Sequence, residues 1–254
     1  MPSLLTTDEP APVLTNGHRD QSPFVLVVDH ASARIPKRLH ALGLTPDTLT
    51  RHIAWDIGAL AVAQLIAHKL DATWVAQQYS RLVIDCNRHP NAESSITALS
   101  EYTVIPGNQH LTAQDILARR QEIFEPYHAH LCALLDHRAR LGLQTILVAQ
   151  HTMTDCYKGI QRDMHAAVLY NRDTRFAQHM LYHLRRNTGC VIADNEPYFL
   201  SDATDYTIPV HAETHGLPYV EIEIRQDLVS TAEGQAEWSE HITRALEASL
   251  QSLT

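Results

Sequence analysis

Phe24-Val25-Leu26-Val27-Val28 is apolar at every position and then stops at Asp29-His30-Ala31-Ser32. A run this short, rich in β-branched residues and without polar alternation, predicts a strand buried inside the protein. Thr145-Ile146-Leu147-Val148-Ala149 repeats the arrangement and stops at Gln150-His151-Thr152. Residues 73–77, 166–170 and 190–193 read as further strands. Tyr219-Val220-Glu221-Ile222-Glu223-Ile224-Arg225 alternates strictly, with Val220, Ile222 and Ile224 on one face and Glu221, Glu223 and Arg225 on the other. Helical signals lie between the strands. Thr45-Pro46-Asp47 opens a short helix, and Leu60, Leu65, Ile66 and Leu70 mark another over residues 59–70. A long helical region from Thr112 to about Gly142 is expected to kink at Pro126. Residues 173–188 form a helix closed by Gly189, residues 195–215 a long polar loop, and residues 230–250 a closing amphipathic helix. Irregular alternation of strands and helices predicts an α/β fold, a three-layer α/β/α sandwich with a mixed central sheet.

The 254 residues suffice for one large core, so a single catalytic domain is expected over residues 23–254 after a flexible arm over residues 1–22. The formal net charge of −9, with no basic block, argues against nucleic acid as a partner. No apolar run approaches the ~18 residues of a membrane span, and the first residues lack the apolar core of a signal peptide. Cys86, Cys132, Cys156 and Cys190 stand far apart and form no CxxC pair, which fits reduced thiols in the cytoplasm. The seventeen histidines make a metal site worth seeking.

Residues 79–90, Tyr-Ser-Arg-Leu-Val-Ile-Asp-Cys-Asn-Arg-His-Pro, concentrate positive charge in this acidic chain. Leu82-Val83-Ile84 reads as a buried strand, possibly in a hairpin with residues 73–77, with Arg81 before it and Asp85, Asn87 and Arg88 after it. Ligands of open α/β folds sit at strand ends, and a guanidinium fork there suits a carboxylate. For one arginine, a structural salt bridge is an equal reading; two arginines and an asparagine together favour a site for an anionic substrate.

His30 and His151, each just after a buried strand, together with a carboxylate form the donor set of hydrolytic zinc sites. A lone histidine at a strand end is more often structural, and no HExxH signature is present. Water activated by a metal also needs a base. Glu223, on the polar face of an otherwise apolar strand, is the candidate; the competing reading pairs Glu221, Glu223 and Arg225 as ions on a solvated sheet face. Asp56, near the start of the helix over residues 59–70, reads as a cap unless other motifs recruit it.

Taken in order, Val-Val-Asp-His-Ala-Ser-Ala-Arg-Ile-Pro (27–36), Trp-Asp-Ile-Gly-Ala (55–59), Ser-Arg-Leu-Val-Ile-Asp-Cys-Asn-Arg (80–88), His-Thr-Met-Thr (151–154) and Val-Glu-Ile-Glu-Ile-Arg-Gln-Asp-Leu (220–228) resemble the N-formylglutamate amidohydrolase family. The resemblance covers roughly residues 23 to 230. Some of these pieces also look like the aspartoacylase and zinc carboxypeptidase group, which implies a zinc-exopeptidase-like fold. It further implies zinc-dependent hydrolysis of a small N-acyl amino acid such as N-formyl-L-glutamate, giving formate and glutamate. Carried over by position, His30 and His151 match metal-binding histidines. The carboxypeptidase group places a ligand glutamate three residues after the first histidine, where this chain has Ala33. Asp56, in the family's Trp-Asp-x-Gly context, is then the third ligand; Asp29 is the alternative, or else a partner orienting His30. Glu223 matches the catalytic glutamate and Arg81 the oxyanion donor, while Asn87 and Arg88 match a clamp on the substrate carboxylate. Arg225, with Arg162, is a candidate for a side-chain carboxylate, although an ordinary ion pair explains either. Tyr206 and His215 are candidate pocket-lining residues. The departure at Ala33 keeps a second class open, a carboxylate-binding protein of the same fold without catalysis; another acyl or peptide substrate is the alternative within the enzyme class.

Overall fold

The structure, a computed structural model, describes residues 3–253. Its centre is a seven-stranded mixed sheet built from β1 (Val13–Thr15), β2 (Phe24–Val28), β3 (Thr73–Gln77), β4 (Ile146–Met153), β5 (Ala166–Leu169), β6 (Ile192–Asp194) and β7 (Tyr219–Arg225). The spatial order is β1-β3-β2-β4-β7-β5-β6. β3, β2, β4 and β7 run parallel, and β1 and β5 join them antiparallel on either side. The helices are α1 (Pro46–Leu49), α2 (Ala59–Leu70), α3 (Ala113–Arg119), α4 (Glu125–Arg140), α5 (Arg175–Thr188) and α6 (Ala232–Ser252).

The apolar runs are buried on both sides because both faces of the sheet are covered. Leu26, Val28, Val148, Val220, Ile222 and Ile224 point into a core shared with α2, α5 and α6. Val25, Val27, Leu147, Ala149 and Tyr219 point the other way, against α4 and the chain between residues 79 and 86. This is the expected three-layer sandwich. The alternation in β7 is also as expected, but its polar face is not solvated: Glu221 and Glu223 are 3% and 8% exposed. Among the described residues, no helix is long and apolar enough to cross a membrane. All four cysteines are free.

Several local expectations are corrected. Leu82-Val83-Ile84 is buried but forms no strand and no hairpin with β3. Its carbonyls are taken by side chains, Leu82 by the Asn108 amide at 2.8 Å and Val83 by the buried Arg119 guanidinium at 3.0 Å. With these partners the segment turns instead of joining a ladder. Residues 79–88 are thereby held as an irregular buried loop. Ahead of Pro126 the long helical region widens into a π turn over Arg120–Phe124, so the break precedes the proline. β4 runs on through His151 to Met153. The segment expected as an arm begins at residues 1–2, outside the described residues; further on it adds β1 to the sheet edge beside β3.

Candidate metal centre and active site

The four parallel strands end on one edge, where the polar residues following β2 meet those of β4 and β7. That edge is where α/β folds hold ligands. Asp29 and His30 follow β2 directly, and His151 sits in register with Glu223 across the β4–β7 pair. Asp56 arrives from the chain entering α2. Its backbone N–H donates to the His30 carbonyl at 2.9 Å, and Thr152 donates its hydroxyl to the Ile57 carbonyl at 2.9 Å. Gly58 makes that entry possible. Its φ is +83°, and a Cβ there would lie 2.4 Å from the Val229 carbonyl oxygen. The Trp-Asp-Ile-Gly and His-Thr motifs are thus parts of one junction.

At this junction His30, Asp56 and His151 are buried, with candidate ligand atoms all within 4.8 Å of one another. Asp56 Oδ2 lies 3.2 Å from His30 Nδ1 and 2.8 Å from His151 Nδ1. The outer nitrogen of each ring meets another carboxylate: His30 Nε2 is 2.7 Å from Asp85 Oδ1, and His151 Nε2 is 3.4 Å from Asp29 Oδ2. Carboxylates accept and do not donate, so each ring faces an acceptor at both nitrogens. Two arrangements satisfy this: a proton on every ring nitrogen, or a cation at the two Nδ1 atoms and Asp56 with protons kept on the outer nitrogens. The second is how carboxylate–histidine pairs hold metals. Ligand atoms of a tetrahedral zinc lie about 3.3–3.5 Å apart, so the donors fit a divalent metal.

The outer groups are anchored in turn. Asp29 Oδ1 accepts hydroxyl hydrogen bonds from Tyr127 and Thr207, both at 2.8 Å. Asp85 accepts from the Asn87 backbone at 2.9 Å and from Arg81 Nη2 at 2.7 Å. Arg81 Nη1 lies 3.5 Å from Asp56 Oδ1, so one guanidinium faces both the ligand carboxylate and the carboxylate behind His30.

Electrostatics follow from this packing. Burial works against ionising Asp56, but the charge of His30 and the hydrogen bonds of both histidines hold its carboxyl far below the usual range. Burial likewise opposes ionisation of Asp85, and Arg81 and His30 more than offset it. Burial and Arg81 lower His30, while Asp85 and Asp56 raise it by more. His151 is raised well above its ordinary value against burial, by Glu221, Asp29 and Asp56. Glu223 is pushed up to about 7 by burial, opposed by the charge of His151. Its Oε2 is buried without a hydrogen-bond partner among the described residues, as is that of Glu221.

Of the residues singled out in the sequence, His30, Asp56, His151, Arg81 and Glu223 come together here. Asn87 is committed elsewhere: its Oδ1 accepts the backbone N–H groups of Tyr206 and Thr207 at 3.0 Å, and its amide donates to Asp205 at 3.3 Å. Arg88, partly exposed, donates to the Asn87 carbonyl and to Asp205. Arg225 binds Asp227 and the carbonyls of Arg162 and Met164, as the ion-pair reading has it. Arg162 donates to the Tyr198 hydroxyl at 2.9 Å. Tyr206 packs on Phe124 and His128, and His215 turns back to the His211 carbonyl. Ala33 lines an open groove of about 520 Å³ beside the cluster, together with Ala31, Ser32, Arg34, Leu49, Thr50 and Trp55. Asp29, a candidate ligand or partner of His30, faces His151 instead, and the carboxylate behind His30 is Asp85. Tyr127 and Thr207 carry no sequence signal for their contacts with Asp29.

The chain superposes on gene product Atu2144 from Agrobacterium tumefaciens with a TM-score of 0.95 and 35% identity, covering 98% of this chain and 99% of that one. It is also similar to N-formylglutamate amidohydrolase from Ralstonia eutropha JMP134, with a TM-score of 0.70, 20% identity and coverage of 95% and 98%. No curated protein sequence matches it significantly. The family model for N-formylglutamate amidohydrolase matches residues 22–230, a span holding every strand from β2 to β7 and all the residues of the buried cluster, and the chain belongs to the N-formylglutamate amidohydrolase family.

Proposed function

We propose that the protein is a zinc-dependent amidohydrolase that removes a small acyl group from an N-acyl amino acid such as N-formyl-L-glutamate. The observation that carries this reading is the convergence of two imidazole nitrogens and one carboxylate oxygen beside a buried glutamate with a raised pKa. His30, Asp56 and His151 hold the metal, with Asp85 and Asp29 fixing the two rings from behind. A zinc ion bound there supplies Lewis acidity, which polarises an amide carbonyl and makes water easier to deprotonate. Glu223 takes the proton of the attacking water and returns it to the nitrogen as the acyl C–N bond breaks and a C–O bond forms. A carboxyl poised near neutrality suits both transfers. Arg81, charged and beside Asp56, stabilises the developing oxyanion. Arg88 presents a cation to the substrate carboxylate, and Asn87 positions it by pinning residues 205–207. The four free thiols fit a reducing, cytoplasmic setting.

The test is carboxylate release from a panel of N-acyl amino acids and their amidated counterparts, with and without zinc, by wild type and by Glu223→Gln. Zinc-dependent turnover that favours free acids, and that falls by at least ~10²-fold in Glu223→Gln while bound zinc persists, is expected. Turnover without zinc, or near-normal activity of Glu223→Gln, overturns the reading.

A further inference from the structure

A second cluster lies in the segments that lead into β2 and β4, at the opposite strand ends from this chemistry. His18 and Asp20 belong to the stretch after β1, and His137 to the last turn of α4. Their candidate ligand atoms also fall within 4.8 Å of one another. The placement is held by a neighbour: Arg138, fully buried, donates to the carbonyls of Arg19 at 3.3 Å and Ser22 at 2.6 Å. This fastens the stretch to α4 and brings His18 and Asp20 over the adjacent His137. The imidazoles of His18 and His137 meet edge to face with centroids 4.6 Å apart. His137 Nε2 stands 3.6 Å from Asp20 Oδ2, beyond a good hydrogen bond. Asp20 Oδ1 is buried without a hydrogen-bond partner among the described residues.

We infer that His18, Asp20 and His137 form a second, peripheral divalent-metal site, taking a zinc-class cation and clasping the stretch after β1 to the end of α4. Two imidazoles and one carboxylate select first-row metals such as zinc or nickel over magnesium or calcium. Closing donor atoms from within 4.8 Å to the ~3.3–3.5 Å of a tetrahedral site asks only for side-chain rotation at the exposed His18 and the half-buried Asp20 and His137. The remaining coordination places face solvent, so the ion there exchanges more readily than one in the buried centre. The net charge of −9 favours cation capture in general.

The test compares the untagged 254-residue chain with His18→Ala/His137→Ala. Zinc is titrated calorimetrically into each protein, and melting is followed with added nickel or zinc. Wild type is expected to take up one equivalent more than the double variant, and its melting temperature to rise with added metal by more than that of the variant. Asp20→Asn should weaken the additional site while leaving the buried equivalent in place. Equal stoichiometry in wild type and in a double variant that keeps wild-type circular dichroism overturns the inference. So does a double variant that loses the buried equivalent as well. Because the result is the difference between two chains, it stands apart from whether the buried centre binds metal.

Discussion

Asp85 shows how much one buried side chain decides. One of its oxygens accepts from His30 Nε2 and the other from Arg81, so it sets both the orientation of that ring and the cation beside it. Asp85→Asn keeps the shape and removes the charge. It should lower zinc affinity by about 10–100-fold, read by competition with a chromogenic chelator, with the fold unchanged. Glu223 makes a different prediction. Burial raises its carboxyl from 4.5 to about 7, and in the proposed role of general base only the ionised form accepts the proton of water. The rate therefore holds above the pKa of Glu223 and falls as pH drops through it, and a kcat/KM profile should show its acid limb between 4.5 and 7. His30, His151 and Glu223 were legible in the sequence because each interrupts or ends an apolar strand. The partner of each ring was not, because Asp85 and Asp29 reach their histidines through the packing of loops, which no spacing encodes.

At the level of elements, α4 is joined to the turn over Ile208–Ala212 by a buried histidine pair. His128 Nδ1 lies 2.8 Å from His211 Nε2, and His128 Nε2 lies 2.9 Å from the Cys86 carbonyl. One tautomer set satisfies both contacts: His128 donates to Cys86 and accepts from His211. His128 must then stay neutral, because its Nδ1 is the acceptor. Burial and the charge of its partner push His128 down to about 3, and burial pushes His211 down to about 4. The unfolded chain protonates both below about 6.5, whereas the folded chain does so only near 3 to 4. Stability is thus full above pH 6.5 and declines as pH falls below it, by up to about 1.4 kcal/mol per pH unit for each histidine. Urea unfolding at a series of pH values should show this slope, and His128→Gln/His211→Gln should flatten it. The strands β2, β4 and β7 were readable from apolar periodicity alone. Residues 82–84 were not, since an apolar triplet in a core looks the same whether a ladder or Arg119 and Asn108 take its carbonyls.

For the whole molecule, two apolar cores on opposite faces of the sheet carry the fold, and the His30–Asp56–His151 cluster lies at the sheet edge, outside both. If the proposed metal centre is correct, removing metal should abolish turnover and lower the melting temperature in proportion to metal affinity, because an ion that binds only the folded chain stabilises it by mass action. The far-ultraviolet circular dichroism should survive chelation; its collapse would mean that the sheet depends on the ion. The sequence by itself determined the layered α/β architecture, the two histidines at strand ends and the order of the family motifs, because all of these are local patterns along one chain. Tertiary structure alone decided which carboxylate faces which ring, that the polar face of β7 is buried, and that Asn87 and Arg225 bind protein groups. Those outcomes depend on loops meeting across the sheet edge, where residues up to 178 positions apart, such as Asp29 and Thr207, share one hydrogen bond.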